Sequence, residues 1–451
     1  MTDHWANQTV FYHIYPLGLC GAPEQNDFNS PPQPRLAKIH AWLDHIQGLG
    51  FNGLYLGPVF ESSVHGYDTV DYFRTDRRLG TNDDLKNLAG EIKGRGLRLI
   101  LDGVFNHVGR DFWAFRDVRE NGPASRFAGW FHHLKFGTAS PYGDPFTYEG
   151  WNGHLNLVKL NLKHPEVKGH LFHAVSSWLD DYDLDGLRLD AADAMDLGFL
   201  AELAAHCRGL KPDFWLMGEM VHGDYRRLVH AAGLDSVTNY ECYKGLYSSH
   251  NDSNFFEIAY SLNRQFGSRG LYRDLGLYSF SENHDVNRVA SVLREPAHLF
   301  TLYMALLTMP GVPSLYYGGE WGLRAKRTPD SDRALRPELD LGEISANPPE
   351  PGLAETIKRL IELRRTIPAL QTGDYSQLHV AAETFAFARK LDGQEAAVAV
   401  NSSRATKTIE VGLSRGTRLI DVLNPGESFP IRNGRARLPL HPRWGRVLLV
   451  E

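Results

Sequence analysis

Short apolar runs punctuate the first two thirds of the chain: 10–18 (VFYHIYPLG), 51–57 (FNGLYLG), 97–104 (LRLILDGV), 186–190, 214–219, 236–240, 278–283 and 311–317. Each is bounded by polar or turn-forming residues, the pattern of a buried strand. Between most of them lie stretches with apolar residues at helical spacing, such as PRLAKIHAWLDHIQGLG (34–50) and HPEVKGHLFHAVSSWLDDYD (164–183). Strand–helix alternation predicts an α/β fold with a parallel sheet and right-handed crossovers. Eight such units predict a closed (β/α)8 TIM barrel.

Two segments break this rhythm. Residues 107–160 are rich in Gly, His, Pro and aromatics and show little periodicity. A connection of that length is a functional loop or a small domain of its own. It follows the third strand and so overhangs the carboxyl rim of the barrel. After residue 372 short alternating segments appear (QLHVAAETFAFARKL, EAAVAVNSS, TKTIEVGL, TRLIDVL, RVLLVE), separated by Gly, Asn and Pro turns. They predict a C-terminal antiparallel β sandwich. The expected division is barrel over 1–106 and 161–371, inserted domain over 107–160, and sandwich over 372–451. A Pro- and Glu-rich loop at 345–352 precedes the last barrel helix, 353–366.

A chain of 451 residues exceeds one compact core, in keeping with several domains. The net charge of −6, without a long Lys/Arg run, argues against nucleic acid or anionic membrane as partner. No apolar run reaches the ~18 residues of a membrane span. The polar start MTDHWANQTV has no secretion-signal pattern, so a cytoplasmic location is expected. Cys20, Cys207 and Cys242 are widely separated and odd in number, which predicts buried free thiols rather than a zinc site or redox pair. An aromatic content of 11% fits either a large core or flat platforms for sugar rings.

The chemistry-bearing residues close three of the predicted strands. GLRLDAAD (186–193), LMGE (216–219) and FSENHD (280–285) put Asp190, Glu219 and Asp285 at carboxyl ends, where barrel enzymes carry their catalytic groups. Carboxylates gathered at one rim suit acid–base work on a glycosidic bond. Alternation points Arg188 and Asp190 one way, and Leu187 and Leu189 the other. The guanidinium is expected to keep Asp190 ionised, as a nucleophile requires. Glu219, ending the run FWLM, is the better candidate for a protonated acid. The alternation partner of Asp285 is Asn283, with His284 on the other side, but the strand is expected to end here, so alternation decides little.

DGVFNH (102–107), GLRLDAAD, GE (218–219) and FSENHD together resemble the ordered signature regions of the α-amylase family, glycoside hydrolase family 13. The resemblance covers nearly the whole chain. It implies Asp190 as nucleophile, Glu219 as general acid/base, Asp285 as transition-state stabiliser and Arg188 as the strand-four arginine. His107 and His284 would contact the sugar at the cleavage site. HGYDT (65–69) implies Tyr67 as the ring stacked on that sugar, and the Asp-x-x-x-Arg spacing implies Asp332 and Arg336 at the next sugar on the non-reducing side. Asp68, Asp102 and Asn106 read as supports. Trp130, Phe131, Tyr148 and Trp151 read either as sugar platforms or as packing of the inserted domain.

Many members of the family bind calcium through the equivalent of Asn106 and a histidine where this chain has Ala194. No cofactor is therefore expected, and calcium would need ligands from elsewhere. LVKLN (157–161) resembles the fifth signature of neopullulanases, cyclomaltodextrinases and maltogenic amylases. These usually carry an N-terminal β domain that builds a dimer; this chain starts at the barrel, so that dimer mode is expected to be absent, and the oligomeric state stays open. Ala191 stands where valine accompanies α-1,6 preference in related α-glucosidases. The resemblance implies a retaining hydrolase of α-1,4 bonds in linear or cyclic maltooligosaccharides, releasing maltose or glucose. An α-glucan transglycosylase and a non-catalytic binding protein are the rivals.

Overall fold

Eight short parallel strands circle one axis in the computed structural model of the protein, which describes residues 4–451. Met1–Asp3, the first residues of the polar N-terminal stretch, lie outside the described residues. The strands are β1 (Phe11–Ile14), β2 (Gly53–Leu56), β3 (Arg98–Gly103), β4 (Gly186–Leu189), β5 (Trp215–Gly218), β6 (Ser236–Val237), β7 (Tyr278–Ser279) and β8 (Val312–Tyr316). Their order around the sheet is β6-β5-β4-β3-β2-β1-β8-β7. A parallel bridge between Thr238 and Tyr278 joins the two edges and closes the barrel.

Strand alternation explains both faces. Leu99 and Leu101 on β3, and Leu187 and Leu189 on β4, point outward into the large core beneath the helices. Phe11, Tyr55, Ile100, Trp215, Met217, Tyr278 and Val312 point inward and fill the lumen. Toward the carboxyl rim the same inward rows turn polar: Ile100 is followed by Asp102, Arg188 by Asp190, and Met217 by Glu219. The apolar plug below is what leaves these groups only one open side.

Every strand predicted from the sequence is present, though several are shorter. The first stops at Ile14 because Pro16 starts a helical turn, Pro16–Leu19, for which its fixed φ is suited. The sixth stops at Val237 because Asn239 caps the helix Tyr240–Asn251, its side chain accepting from the Cys242 N–H. The seventh stops at Ser279. Beyond it, the Asn283 side-chain oxygen accepts from the Asp285 and Val286 N–H groups, a turn that replaces the strand ladder.

Residues 107–160 hold a three-stranded antiparallel sheet (His107–Gly109, His154–Lys159, Gly150–Trp151), a hairpin (Lys135–Phe136 with Phe146–Thr147) and the helix Trp113–Asn121. Trp130, Phe131 and Tyr148 are buried with Phe115 and Phe146, so they pack this small unit. Trp151 alone of the four candidate platforms is half-buried, and it lies 5.5 Å from the His107 ring.

From Asp374 onward the chain forms a six-stranded antiparallel sheet and the pair Lys407–Gly412 with Arg435–Leu440. Ile409, Val411, Leu438 and Leu440 face Ala397, Ala399 and Leu448 between the two layers. Arg389 ties this sandwich to the barrel by donating to the carbonyls of Thr308, Leu370 and Gly373 at 2.8–3.1 Å. The three cysteines are free and buried.

Candidate active site

Arg188 sits at the centre of the rim with 3% exposure. One terminal nitrogen donates to Asp102 at 2.9 Å and to Asp190 at 2.8 Å; the other meets Glu219 at 2.8 Å. The neighbouring ends of β3, β4 and β5 thus deliver three carboxylates to one guanidinium. Asp102, which the sequence suggests only as scaffold, also accepts from the hydroxyls of Tyr55 at 2.7 Å and Tyr67 at 2.9 Å. It fixes the angle at which Arg188 reaches its other two partners.

This arrangement corrects one expectation. Arg188 does not simply keep Asp190 ionised, because its single charge is divided among three largely buried acids. Burial pushes the Asp190 carboxyl well up, and the neighbouring Glu219 and Asp102 charges add to this against the opposing pull of Arg188.

The two oxygens of Glu219 differ. Oε2 accepts from Arg188 and from the Ala191 N–H at 3.1 Å, while Oε1 faces only the Tyr240 hydroxyl, at 3.3 Å. Ala191 presents its N–H because its backbone is left-handed, at φ +48°. Likewise one oxygen of Asp190 is taken by Arg188, and the other lies 3.7 Å from His107 Nε2. The amide of Asn106 donates to His107 Nδ1 at 3.1 Å, which leaves Nε2 as the protonated nitrogen, without a hydrogen-bond partner. Burial pushes the His107 imidazole down to about 3, so it is a neutral donor aimed into the cleft.

His284 and Asp285 both face the site, because the turn at Asn283 ends the strand geometry where the sequence places the strand's end. His284 Nε2 lies 2.9 Å from Asp285, and Arg336 donates to the same carboxylate at 3.1 Å. Burial opposes the Asp285 charge, but His284 and Arg336 more than offset it and hold this carboxyl well below the usual range. Arg336 also donates to the His284 carbonyl at 3.0 Å and lies 3.5 Å from Asp332. Tyr67 hydrogen-bonds His284 and stacks on it, centroids 5.1 Å apart. All the candidate residues therefore lie in one continuous network, whose longest link is the 3.7 Å between His107 and Asp190.

Three aromatic groups carry no signature in the sequence. Tyr15, just beyond β1, stacks on His284 at 6.0 Å and carries the Arg336 cation over its ring at 4.8 Å. Tyr240, just beyond β6, contacts Glu219 and accepts from Asn283 at 3.2 Å. Tyr55 supports Asp102 from inside the lumen. The first two lie immediately past the carboxyl ends of barrel strands, and that position was the available signal. A cavity of about 860 Å³ adjoins Asp285, lined by Tyr15, His65, Asp332, Arg333 and Arg336 among others. Within its lining Arg333 meets Glu24 at 3.0 Å, joining the loops that follow β8 and β1.

Asn106 Oδ1 is buried without a partner, but Ala194 brings no side-chain donor, and Ca²⁺ takes about 6–8 oxygens. Among the described residues no helix is long and apolar enough to cross a membrane.

Residues 35–348 match the family model described as alpha amylase, catalytic domain. A cyclomaltodextrinase of Geobacillus thermopakistaniensis is 32% identical, covering 98% of this chain and 77% of the relative. Neopullulanase 2 of Thermoactinomyces vulgaris is 30% identical, covering 99% and 78%. Among solved structures, a cyclic alpha-maltosyl-(1→6)-maltose hydrolase of Arthrobacter globiformis superposes with a TM-score of 0.83 at 27% identity, covering 100% of both chains.

Proposed function

The chain belongs to the α-amylase family of glycosidases, and on that footing we propose that it hydrolyses α-1,4 bonds of linear or cyclic maltooligosaccharides with retention, releasing maltose and glucose. One observation carries the reading: Arg188 holds Asp190 and Glu219 at 2.8 Å each, on adjacent nitrogens of one planar group. A retaining pair needs its carboxyl groups about 5–5.5 Å apart, a separation that a shared guanidinium suits.

In this reading Glu219 serves as the acid through Oε1, the oxygen not held by Arg188. The Asp190 oxygen not held by Arg188 attacks the anomeric carbon as Glu219 protonates the leaving oxygen. A glycosyl ester forms on Asp190. Glu219, now ionised, takes a proton from water, which attacks the same carbon and frees Asp190. His107, His284 and Asp285 hold hydroxyls of the distorted ring, with Tyr67 against it. Asp332 and Arg336 bind the next sugar in the adjoining cavity. No cofactor enters any step. Three free buried thiols fit a reducing compartment, and a cytoplasmic location is proposed on that ground.

The test is a product time course on maltotriose, maltohexaose, a cyclodextrin, pullulan and soluble starch, each offered separately. Cyclodextrin and oligosaccharides falling to maltose and glucose, with starch nearly untouched, supports the proposal. Products longer than the substrate would make the enzyme a transglycosylase. Turnover surviving in Asp190→Asn or Glu219→Gln would overturn the assignment of the acids.

A further inference from the structure

We propose that His132, His133 and Glu149, on the inserted domain, form a binding site for a transition-metal cation of the Zn²⁺ type. Their donor atoms all lie within 4.8 Å of one another. Ligands about 2.1 Å from a tetrahedral ion stand roughly 3.4 Å apart, so modest side-chain rotation closes the site.

The backbone brings these groups together in an uncommon way. Consecutive residues of an extended segment point to opposite sides. His133 instead adopts φ +53°, a left-handed conformation, and the two neighbouring imidazoles both turn toward Glu149. The segments are fastened to each other. The His132 N–H donates to the Lys159 carbonyl at 3.1 Å, and the Glu149 N–H to the His132 carbonyl at 3.0 Å.

Glu149 is itself oriented. Lys159 donates to Oε1 at 2.7 Å, while Oε2 lies 3.0 Å from His133 Nδ1. A metal would take Oε2, and Lys159 would keep the other oxygen, as partners behind a ligand do in metal sites. A hydrogen bond between His133 and Glu149 accounts for those two side chains alone. It does not account for His132 joining the same cluster.

Two imidazoles and one carboxylate suit Zn²⁺, Ni²⁺ or Cu²⁺ rather than Ca²⁺, which prefers an all-oxygen shell. The His133 side chain is 75% exposed, so the ion would enter from solvent and keep a water in its fourth position. The site is separate from the cleft but linked to it through one strand, since Lys159 is the register partner of His107. A bound ion would cross-link residues 132–133 to 149 and stiffen the sheet from which His107 projects.

The experiment is isothermal titration of the chelator-treated full-length protein with ZnCl₂, and with CaCl₂ as comparison. The variants are His133→Asn, whose side chain tolerates a left-handed backbone, and Glu149→Gln. One Zn²⁺ per chain is expected, with no Ca²⁺ uptake at this site. Each variant should bind zinc at least ~100-fold more weakly, because even the partners behind a ligand cost 10–100-fold. Zinc should also raise the melting temperature of the parent protein and leave that of both variants unchanged. Metal-free melting curves that match the parent show that the variants fold. Absence of zinc uptake, or uptake of equal affinity in parent and variants, overturns the proposal.

Discussion

Asp190→Asn removes the proposed nucleophile, and the same change is expected to make the protein more stable. The folded carboxyl is raised by burial beside Glu219 and Asp102, with Arg188 shared among all three. Above the unfolded carboxylate range the folded chain therefore retains protons that the unfolded chain releases. Stability must fall as pH rises from the unfolded carboxylate range toward the raised folded value, by ~1.4 kcal/mol for each pH unit between the two. Asparagine has no charge to bury and can still accept from Arg188 through its amide oxygen. Asp102 and Glu219 still pair with Arg188 after the change, so no buried charge is left uncompensated, and a gain of ~1–3 kcal/mol near pH 8 is expected, about one to two pH units at that slope. The gain should shrink toward pH 4, where the parent carboxyl is itself neutral. Fluorescence-monitored melting of both proteins across this range measures the difference. A variant less stable than the parent at pH 8, or a gain independent of pH, would refute the account of a charge-frustrated cluster.

Tyr240→Phe removes the hydroxyl 3.3 Å from Glu219 and should lower kcat by less than about tenfold, with a moved limb in the pH–rate profile, since one neutral hydrogen bond is worth ~1 kcal/mol. An unchanged pH profile would mean that the contact is idle. Arg389→Met strips donors from the carbonyls of Thr308, Leu370 and Gly373 and should cost about 3 kcal/mol in denaturant titration while leaving KM unchanged. Arg333→Ala breaks an exposed ion pair with Glu24 and should leave stability within ~0.5 kcal/mol. Because that pair ties two loops lining the cavity, the variant should shift the product profile toward longer fragments, read by chromatography on maltohexaose.

Much of the architecture was legible because barrel strands announce themselves twice, as apolar runs and as carboxyl ends bearing polar residues. Leu187, Arg188, Leu189 and Asp190 alternate as strand geometry demands, and their facing follows from order alone. What stayed hidden depended on where strands stop. The turn at Asn283 brings His284 and Asp285 to the same side, and no alternation rule reaches past it. Tyr15 and Tyr240 are indistinguishable from packing tyrosines until the ends of β1 and β6 are placed. The charge state of Asp190 is hidden for another reason: Asp102 lies 88 positions earlier in sequence, and its claim on Arg188 is a matter of barrel closure. Trp130, Phe131 and Tyr148 resemble sugar platforms only while the core of the inserted domain is unseen.

The closure of the barrel has a mechanical corollary. Strands β4 and β5, which carry Asp190 and Glu219, are laced by four register pairs; β6 is held to β5 by two, and to β7 by a single bridge. The ring thus has a strong arc and a seam, and Asp285 lies on the far side of the seam from the other two acids. Thermal breathing should concentrate there, leaving the Asp190–Glu219 spacing nearly rigid while Asp285 drifts. Backbone amides around Thr238 and Tyr278 would exchange with solvent sooner than those of β4. The molecule would thus hold its bond-breaking pair in a stiff frame and let the third carboxylate follow a sugar ring as it changes shape.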